Sequence, residues 1–347
     1  MDKKSEVKHL FTAGFKESAK WTDWFFNNVY RDENALLVYD GNQPAACLML
    51  DPYTLKLGNA TVESGYISCC TTSPQHRRKG YMSHLLDEAL RVAVSRGYAV
   101  VSLIPASERL YFFYDHFGFS TVFYSDEQRY TSLHRCMFSE RYAETAPTFD
   151  HFSKLERMRR SSVLHSESDF KNILEDNAID GGKTISIIDK ESNEPAAMLF
   201  ATIGETAVVV RDILTVSEEA SDSILSLLRD KIGKRMIITW AQPSDSPFSL
   251  KSRGMARIVN AEKLLQAIAT EYPHTEQTIR LHDRLIPENN GVFIIKRGQV
   301  ERTNSTIRRL TLDVNIETLA KIIFNSKRIG ETFSLPAFRP MMSLMLD

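Results

Sequence analysis

The sequence predicts an α/β protein built from two related strand and helix modules and a smaller α+β unit, and three observations predict it. A strand, a basic loop, a helix and a second strand follow one another between residues 64 and 105. The same order recurs, with shared local sequence, between residues 184 and 243. From about Met255 onward the texture changes to short strands and helices. At 347 residues the chain exceeds what one ordinary core can cover, which points to two or three domains.

Taken in order, residues 8–30 (KHLFTAGFKESAKWTDWFFNNVY) read as one or two amphipathic helices. Their aromatic set, Trp21, Trp24, Phe25, Phe26 and Tyr30, at helical spacing, fits core packing. ALLVYD, a turn at Gly41-Asn42, AACLML and SGYISCC read as strands, the last ending near Thr72. Leu85, Leu86, Ala89, Leu90, Ala93 and Val94 repeat at helical spacing, and Gly97 suits the position just past the helix end. AVVSLIP then reads as a buried strand. A strand–loop–helix–strand unit of this kind sets its loop at the carboxyl end of the first strand, the usual ligand side of an α/β sheet.

The second module is a weaker copy. TISIIDKESNEPAAMLFA (184–201) parallels LLVYDGNQPAACLML (36–50), with Glu194-Pro195-Ala196-Ala197 standing for Gln43-Pro44-Ala45-Ala46. RDILTVSEEASDSILSLLRDKIGKRMIITWAQP repeats the order strand, helix, strand, proline, and Gly254-Met255 takes the place of Gly118-Phe119. This is an internal duplication. Its loop, SEEASDS (217–223), is acidic and free of glycine, so the second copy is not expected to hold an anion. In the last third, RIVNAEKLLQAIA predicts a strand and helix, Asn289-Asn290-Gly291 a hairpin turn, and DVNIETLAKIIF a helix capped by Asp313 or Asn315. SLPAFRPMMSLMLD belongs to no regular element but is apolar enough to be buried. The expected domains are 1–148, 149–253 and 254–347.

Charge narrows the function. Lys+Arg number 43 against 44 Asp+Glu, so nothing global draws the chain to nucleic acid or to an anionic membrane, and a positive site must be local. Cys47, Cys69, Cys70 and Cys136 form no disulfide framework and no C-x-x-C pair, which suits a reducing compartment. No apolar leader and no stretch of about 18 apolar residues is present, so a cytoplasmic protein is expected. His76 and His84 read as surface or loop groups, without the spacing a metal needs.

The local positive site is His76-Arg77-Arg78-Lys79-Gly80 at the start of the first module's helix. A helix N-terminus presents unpaired N–H groups and partial positive charge, which suit a phosphate or diphosphate. Gly80 permits close approach or positive φ, and the Arg and Lys side chains add charge-assisted hydrogen bonds. The competing reading is a solvated charge run that merely starts a helix. Neither G-x-x-x-x-G-K-[ST] nor G-x-G-x-x-G is present.

Pro74-Gln75-His76-Arg77-Arg78-Lys79-Gly80-Tyr81-Met82 resembles the R/Q-x-x-G-x-G/A acetyl-CoA signature of the GCN5-related N-acetyltransferases (GNAT). Phe113-Tyr114-Asp115-His116-Phe117-Gly118-Phe119 is similar to their F-Y-x-x-x-G-F segment. Met82 departs from the usual Gly or Ala, but P-x-H-R-R-[RK]-G followed by two large apolar residues is what the Eis (enhanced intracellular survival) branch carries. The resemblance implies tandem GNAT folds, the second degenerate, followed by a sterol-carrier-protein-like α+β domain. It implies an acetyl-CoA-dependent N-acetyltransferase acting by direct transfer in a ternary complex on a primary amine of aminoglycoside, polyamine or lysine type. Coenzyme contacts are implied at Cys70, Thr71, Thr72, Arg77, Arg78, Lys79, Gly80, Tyr81, Met82, Ser83 and Ser107. Tyr114 would be the general acid and the carboxylate of Asp347 the base. Tyr114 also fits simple packing within Tyr111-Phe112-Phe113-Tyr114, and Asp347 a frayed or packed end. A covalent route through Cys69 or Cys70 lacks an evident paired base. The alternative function is a lipid or hydrophobic-ligand carrier run by the C-terminal domain, with the transferase module vestigial. Acceptor identity and any homo-oligomeric assembly are not set by this sequence.

Overall fold

The computed structural model describes residues 2–179, 181–233, 235–243, 249–303, 312–325 and 335–346. They form two compact units, one of the residues up to Phe123 together with Ser252–Pro340, the other of Tyr124–Lys251 together with Met341–Leu346.

The first unit opens with α1 (Lys3–Gly14) and α2 (Ala19–Asn28), which start on side-chain caps from Asp2 and Ser18. Phe11, Trp21, Phe25, Phe26 and Tyr30 are buried in one ring cluster, with Phe11 stacked on Phe25 at 5.8 Å. The aromatic set is therefore core, and only Trp24 is half-buried. β1 (Ala35–Asp40), β2 (Gln43–Leu57) and β3 (Ala60–Thr72) follow as an antiparallel meander. α3 (Tyr81–Ser95) buries Leu85, Leu86, Ala89, Leu90 and Ala93 along one face and stops at Gly97, whose φ of +74° only glycine adopts cheaply. Burying each of the three leucines contributes about 1.5–3 kcal/mol. β4 (Val100–Leu103) returns parallel to β3, completing the expected unit. α4 (Glu108–Asp115) and β5 (Ser120–Tyr130) come next, and β5 passes into the second unit after Phe123.

The second unit contains β6 (Tyr142–Thr145), α5 (Phe149–Met158), β7 (Ser161–Leu164), α6 (Glu167–Ile179), β8 (Lys183–Asp189), β9 (Pro195–Ile203), β10 (Ala207–Thr215), α7 (Glu218–Ile232) and β11 (Met236–Ala241). Its strands run β6-β8-β9-β10-β11, with residues 126–130 of β5 antiparallel to β11. The duplication holds to the residue. Thr72 of β3 stands opposite Ala46, and Thr215 of β10 stands opposite Ala197, its counterpart in the sequence alignment. One expectation fails, because SEEASDS is not a loop. Ser217 caps α7 by accepting from the Ala220 N–H at 3.1 Å, and Glu218–Ser223 already form its first turns. The connection is residues 216 and 217, where the first unit uses 73–80.

β12 (Leu250–Ile258) re-enters the first unit antiparallel to β4, Met255 opposite Leu103. α8 (Ala261–Glu271), β13 (Gln277–His282), β14 (Gly291–Lys296), β15 (Gln299–Thr303), β16 (Leu312–Asn315) and α9 (Ile316–Asn325) then build a four-stranded sheet in the order β15-β14-β13-β16. Its tight turn is Arg297-Gly298, not Asn289–Gly291. Asn289 is buried instead, its amide bonded to Asp283 at 2.8 Å and its carbonyl oxygen accepting from the Ala261 N–H at 2.8 Å. Asn315 caps α9 through the Thr318 N–H, while Asp313 pairs with His282 at 2.8 Å. The apolar end is buried as expected. Phe338 donates its N–H to Ile323, and in the other unit Met341 pairs with Ser161–Val163 while the Ser343 hydroxyl donates to Asp212 at 2.6 Å. Among the described residues no helix is long and apolar enough to cross a membrane.

A buried ion pair ties the first unit together. Arg257 of β12 is 0% exposed and donates to Asp283 at 2.6 Å and, through Nε, to the Phe117 carbonyl at 3.0 Å. Gly118 lies so close that a Cβ would sit 2.7 Å from Arg257 Nε. Removing one partner strands the other charge away from water. Arg257→Ala is expected to lower unfolding free energy by about 3–5 kcal/mol, measured by urea denaturation, with Arg257→Met no milder than about half of that.

Candidate active site

The site is built where β3 outruns its parallel neighbour. Pairing with β4 reaches Ile67 opposite Leu103, where β4 ends, and β3 continues to Thr72. On its other side β3 carries a bulge: Ser68 faces Met49 and Thr71 faces Cys47, so Cys69 and Cys70 together oppose Leu48. Cys69 takes a left-handed φ of +54° to make it. The bulge turns the Cys70 side chain toward α4, where its thiol is hydrogen-bonded to the Tyr114 hydroxyl. Tyr114 is 5% exposed and packs edge-on against Phe119 at 5.9 Å. Tyr114 is therefore a packed core residue whose hydroxyl still meets a polar neighbour.

Thr71 is buried beneath the end of α1. Gly14 makes that approach possible, since a Cβ there would lie 2.0 Å from Thr71 Oγ1. Nothing in the local sequence marks Gly14, because its reason is a neighbour 57 positions away, 71 less 14.

From Thr72 the chain makes one 3-10 turn, Pro74–His76, and reaches the basic loop. Arg77, Arg78, Lys79 and Gly80 are all exposed. Arg78 and Gly80 both have left-handed φ, +61° and +87°, which folds the backbone back on either side of Lys79. Space around Gly80 is open, so glycine is required there by conformation alone. Gly80 is the N-cap of α3 and offers no side-chain acceptor, and the first turn holds no acidic residue. The N–H groups of Tyr81, Met82 and Ser83 thus start the helix without a side-chain cap, with partial positive charge directed at the loop. Tyr81 and Met82 rest their apolar parts on the core, which explains large residues here.

The loop cations are unequal. Arg77 Nε donates to the Thr72 carbonyl at 3.2 Å, tying loop to strand. Lys79 meets Asp40 of β1 at 3.3 Å, and the Asp40 carboxyl is held below its usual range by hydrogen bonds from Tyr81 and then Lys79. That pair is half-exposed and screened by solvent, so it holds Lys79 only weakly. Arg78 makes no hydrogen bond or ion pair among the described residues. His76, expected at the surface, is buried, because its ring packs edge-on against Tyr81 at 6.0 Å with Nε2 3.5 Å from Asp40. Asp40 is a site residue that the sequence did not flag. Ser107, exposed, heads α4 without a side-chain cap bond, and His84 is exposed as expected. Asp347 lies outside the described residues.

Electrostatically the bulge is a place for proton donors. Burial pushes the Cys70 thiol up to about 12, offset in part by the Tyr114 hydrogen bond. Burial, and next Cys70, push the Tyr114 phenol well above its usual range. Cys69 and Cys47 are raised chiefly by burial too. None of the three is a ready nucleophile.

Comparison with known proteins agrees with the fold. Residues 2–122 match the acetyltransferase (GNAT) domain family and residues 261–335 the sterol carrier protein domain family. No curated protein matches the sequence significantly. A probable N-acyltransferase from Enterococcus faecalis superposes with a TM-score of 0.79 at 13% identity, over 95% of this chain and 90% of that one. A GCN5-related N-acetyltransferase from Anabaena variabilis gives 0.79 at 17% identity, over 97% and 96%. Eis1 from Mycobacterium abscessus gives 0.73 at 17%, over 96% and 92%. Such identities speak for the fold: tandem GNAT-like modules followed by a sterol-carrier-like domain.

Raised thiol pKa values predict slow modification. With Cys70 at about 12, about one thiol in ten thousand is ionised at pH 8, so DTNB should label Cys47, Cys69 and Cys70 only after denaturation. Rapid labelling of Cys70 in the native protein would contradict the environment described.

Proposed function

We propose that this chain, an N-acetyltransferase through its GNAT domain at 2–122 and joined to a sterol carrier protein domain at 261–335, moves the acetyl group of acetyl-CoA to a primary amine by direct attack in a ternary complex. One observation carries the reading. The basic loop ends on a left-handed Gly80 at an uncapped helix start, and the strand feeding it is bulged against a protonated Tyr114. Main-chain amides of Tyr81–Ser83, with Arg78 and Lys79, suit a diphosphate. Of the basic loop's two readings, a charge run that only starts a helix has no need of two left-handed residues.

Bound acetyl-CoA supplies an activated thioester. Cys70–Thr72, at the end of β3 past the last β4 pair, would lie along its pantetheine arm and offer main-chain donors to the carbonyl oxygen as it gains charge. Tyr114 holds a proton at every pH near neutral, and burial that disfavours a phenolate equally disfavours a bare thiolate beside it. The hydroxyl now shared with Cys70 is therefore placed to hand its proton to the departing sulfur as the C–N bond forms and the C–S bond breaks, and the proton lost by the attacking nitrogen restores the phenol. Cys70 positions that hydroxyl rather than carrying an acyl group. We assign the three inherited modules to 1–148, 149–253 and 254–347, the first holding this chemistry. An amine of aminoglycoside, polyamine or lysine type is the proposed acceptor class.

Tyr114→Phe should lower kcat by about 10²–10⁴-fold while the Kd for acetyl-CoA stays within about threefold, the split expected of a proton donor. An unchanged kcat would return Tyr114 to a packing role. Arg78→Glu, at an exposed side chain without a partner among the described residues, should raise the acetyl-CoA Kd about tenfold or more in calorimetry, with the melting temperature unchanged. Unaltered affinity would remove the diphosphate from this loop.

A further inference from the structure

The second unit keeps the parted strands of the first but not its anion cradle. β10 and β11 pair in parallel from Ala207 opposite Met236 to Val210 opposite Thr239, and both run on beyond, to Thr215 and Ala241. A cavity of about 810 Å³ opens between their ends, against α7, β5 and the end of α5. That volume is ample for a small ligand. Thr215 in its wall is the counterpart of Thr72, so the cavity occupies in its own module the place that the candidate coenzyme cleft occupies in the first.

Its chemistry is reversed. The connection into α7 is only residues 216 and 217, Ser217 already occupies the helix cap, and Glu218 and Glu219 fill the first turn. A diphosphate would meet carboxylates and no free amide cradle. Glu218 and Asp222, one turn apart on α7, both line the cavity, and neither has a hydrogen bond or ion pair among the described residues. The two arginines of the lining are engaged elsewhere: Arg159 is locked to buried Asp212, and Arg160 has its own contact within the protein. Apolar surface completes the wall. Met158 is 61% and Val216 43% exposed, apolar surface that a bound aliphatic chain would cover. Tyr130 lies across from α7, its phenol raised first by burial and then by Cys136 and Asp222.

We propose that this cavity binds an organic cation, an aliphatic amine whose ammonium groups pair with Glu218 and Asp222 and whose methylene chain covers Met158, Val216 and the ring of Tyr130. The site is separate from the acetyl-transfer centre and stands on its own observations. It belongs to a second GNAT module that has exchanged anion recognition for cation recognition while keeping its cleft.

The test is calorimetric titration of the full chain with spermidine in the absence of acetyl-CoA. Saturable binding is expected, with a component that Glu218→Gln/Asp222→Asn weakens at least about tenfold and that added KCl weakens as well. Both side chains are exposed, so the variant should fold, and its acetyl-CoA affinity should match the parent's. Met158→Lys, also exposed, should weaken the same component by like-charge repulsion. Binding of spermidine at the transfer centre would appear as a component that all these variants leave intact. The proposal is overturned if no component responds to either variant, if no heat appears up to millimolar spermidine, or if coenzyme A binds in this cavity.

Discussion

Amide groups at the start of α3 have no side chain to satisfy them, and the first unit is arranged around that lack. A helix start of this kind needs water, a neighbouring acceptor or a ligand. Here the residue that would normally supply an acceptor is a glycine, held left-handed by a loop with a second left-handed residue two positions before it. The arrangement costs conformational freedom and gathers three exposed cations at one point, a setting that suits an anion. Around it, the bulge at Cys69 and the short β4 leave the end of β3 open to whatever lies along it. Asp40 keeps one of those cations in place by a pair weak enough to be exchanged.

The second unit shows what happens when the same strands lose that requirement. The threonine that ends the strand keeps its partner, yet the bulge lies at Arg211 rather than beside that end, the loop is cut to two residues and a serine fills the cap. A capped helix with two glutamates in its first turn is at rest without any ligand. Shortening the loop does not close the gap between the strands, however, because that gap is set by where parallel pairing stops. Cleft and cradle are thus separable features of the fold, and each can persist or be lost alone.

The succession of strand, loop, helix and strand, the duplication, the helix that follows the basic loop and ends before Gly97, and the burial of the last apolar segment were all legible. Each depends on local pattern: period two, period 3.6, a glycine past a helix end, or a repeated Pro-Ala-Ala. Misreadings came from side-chain partners that the local pattern does not reveal. Asn289-Asn290-Gly291 has turn chemistry, but Asn289 is drawn inward by Asp283, itself held by Arg257 on a strand that precedes it by 26 positions, 283 less 257. His76 looked solvated within a basic run, but its ring had a partner in Tyr81. Serine at the head of SEEASDS is as good a helix cap as a loop residue, and only the backbone tells which.

By itself, then, the sequence determined the alternation of strands and helices in the two modules, the copy number of the module and the place of the basic loop at a helix start, because those follow from spacing along the chain. Tertiary structure alone decided that Cys70 meets Tyr114, that Gly14 lies over Thr71, that Asp40 reaches Lys79, and that Ser252–Pro340 packs into one unit with the residues up to Phe123. Those pairings join residues far apart in sequence through bulges, close approaches and a returning strand, and no local preference encodes which distant group will be there.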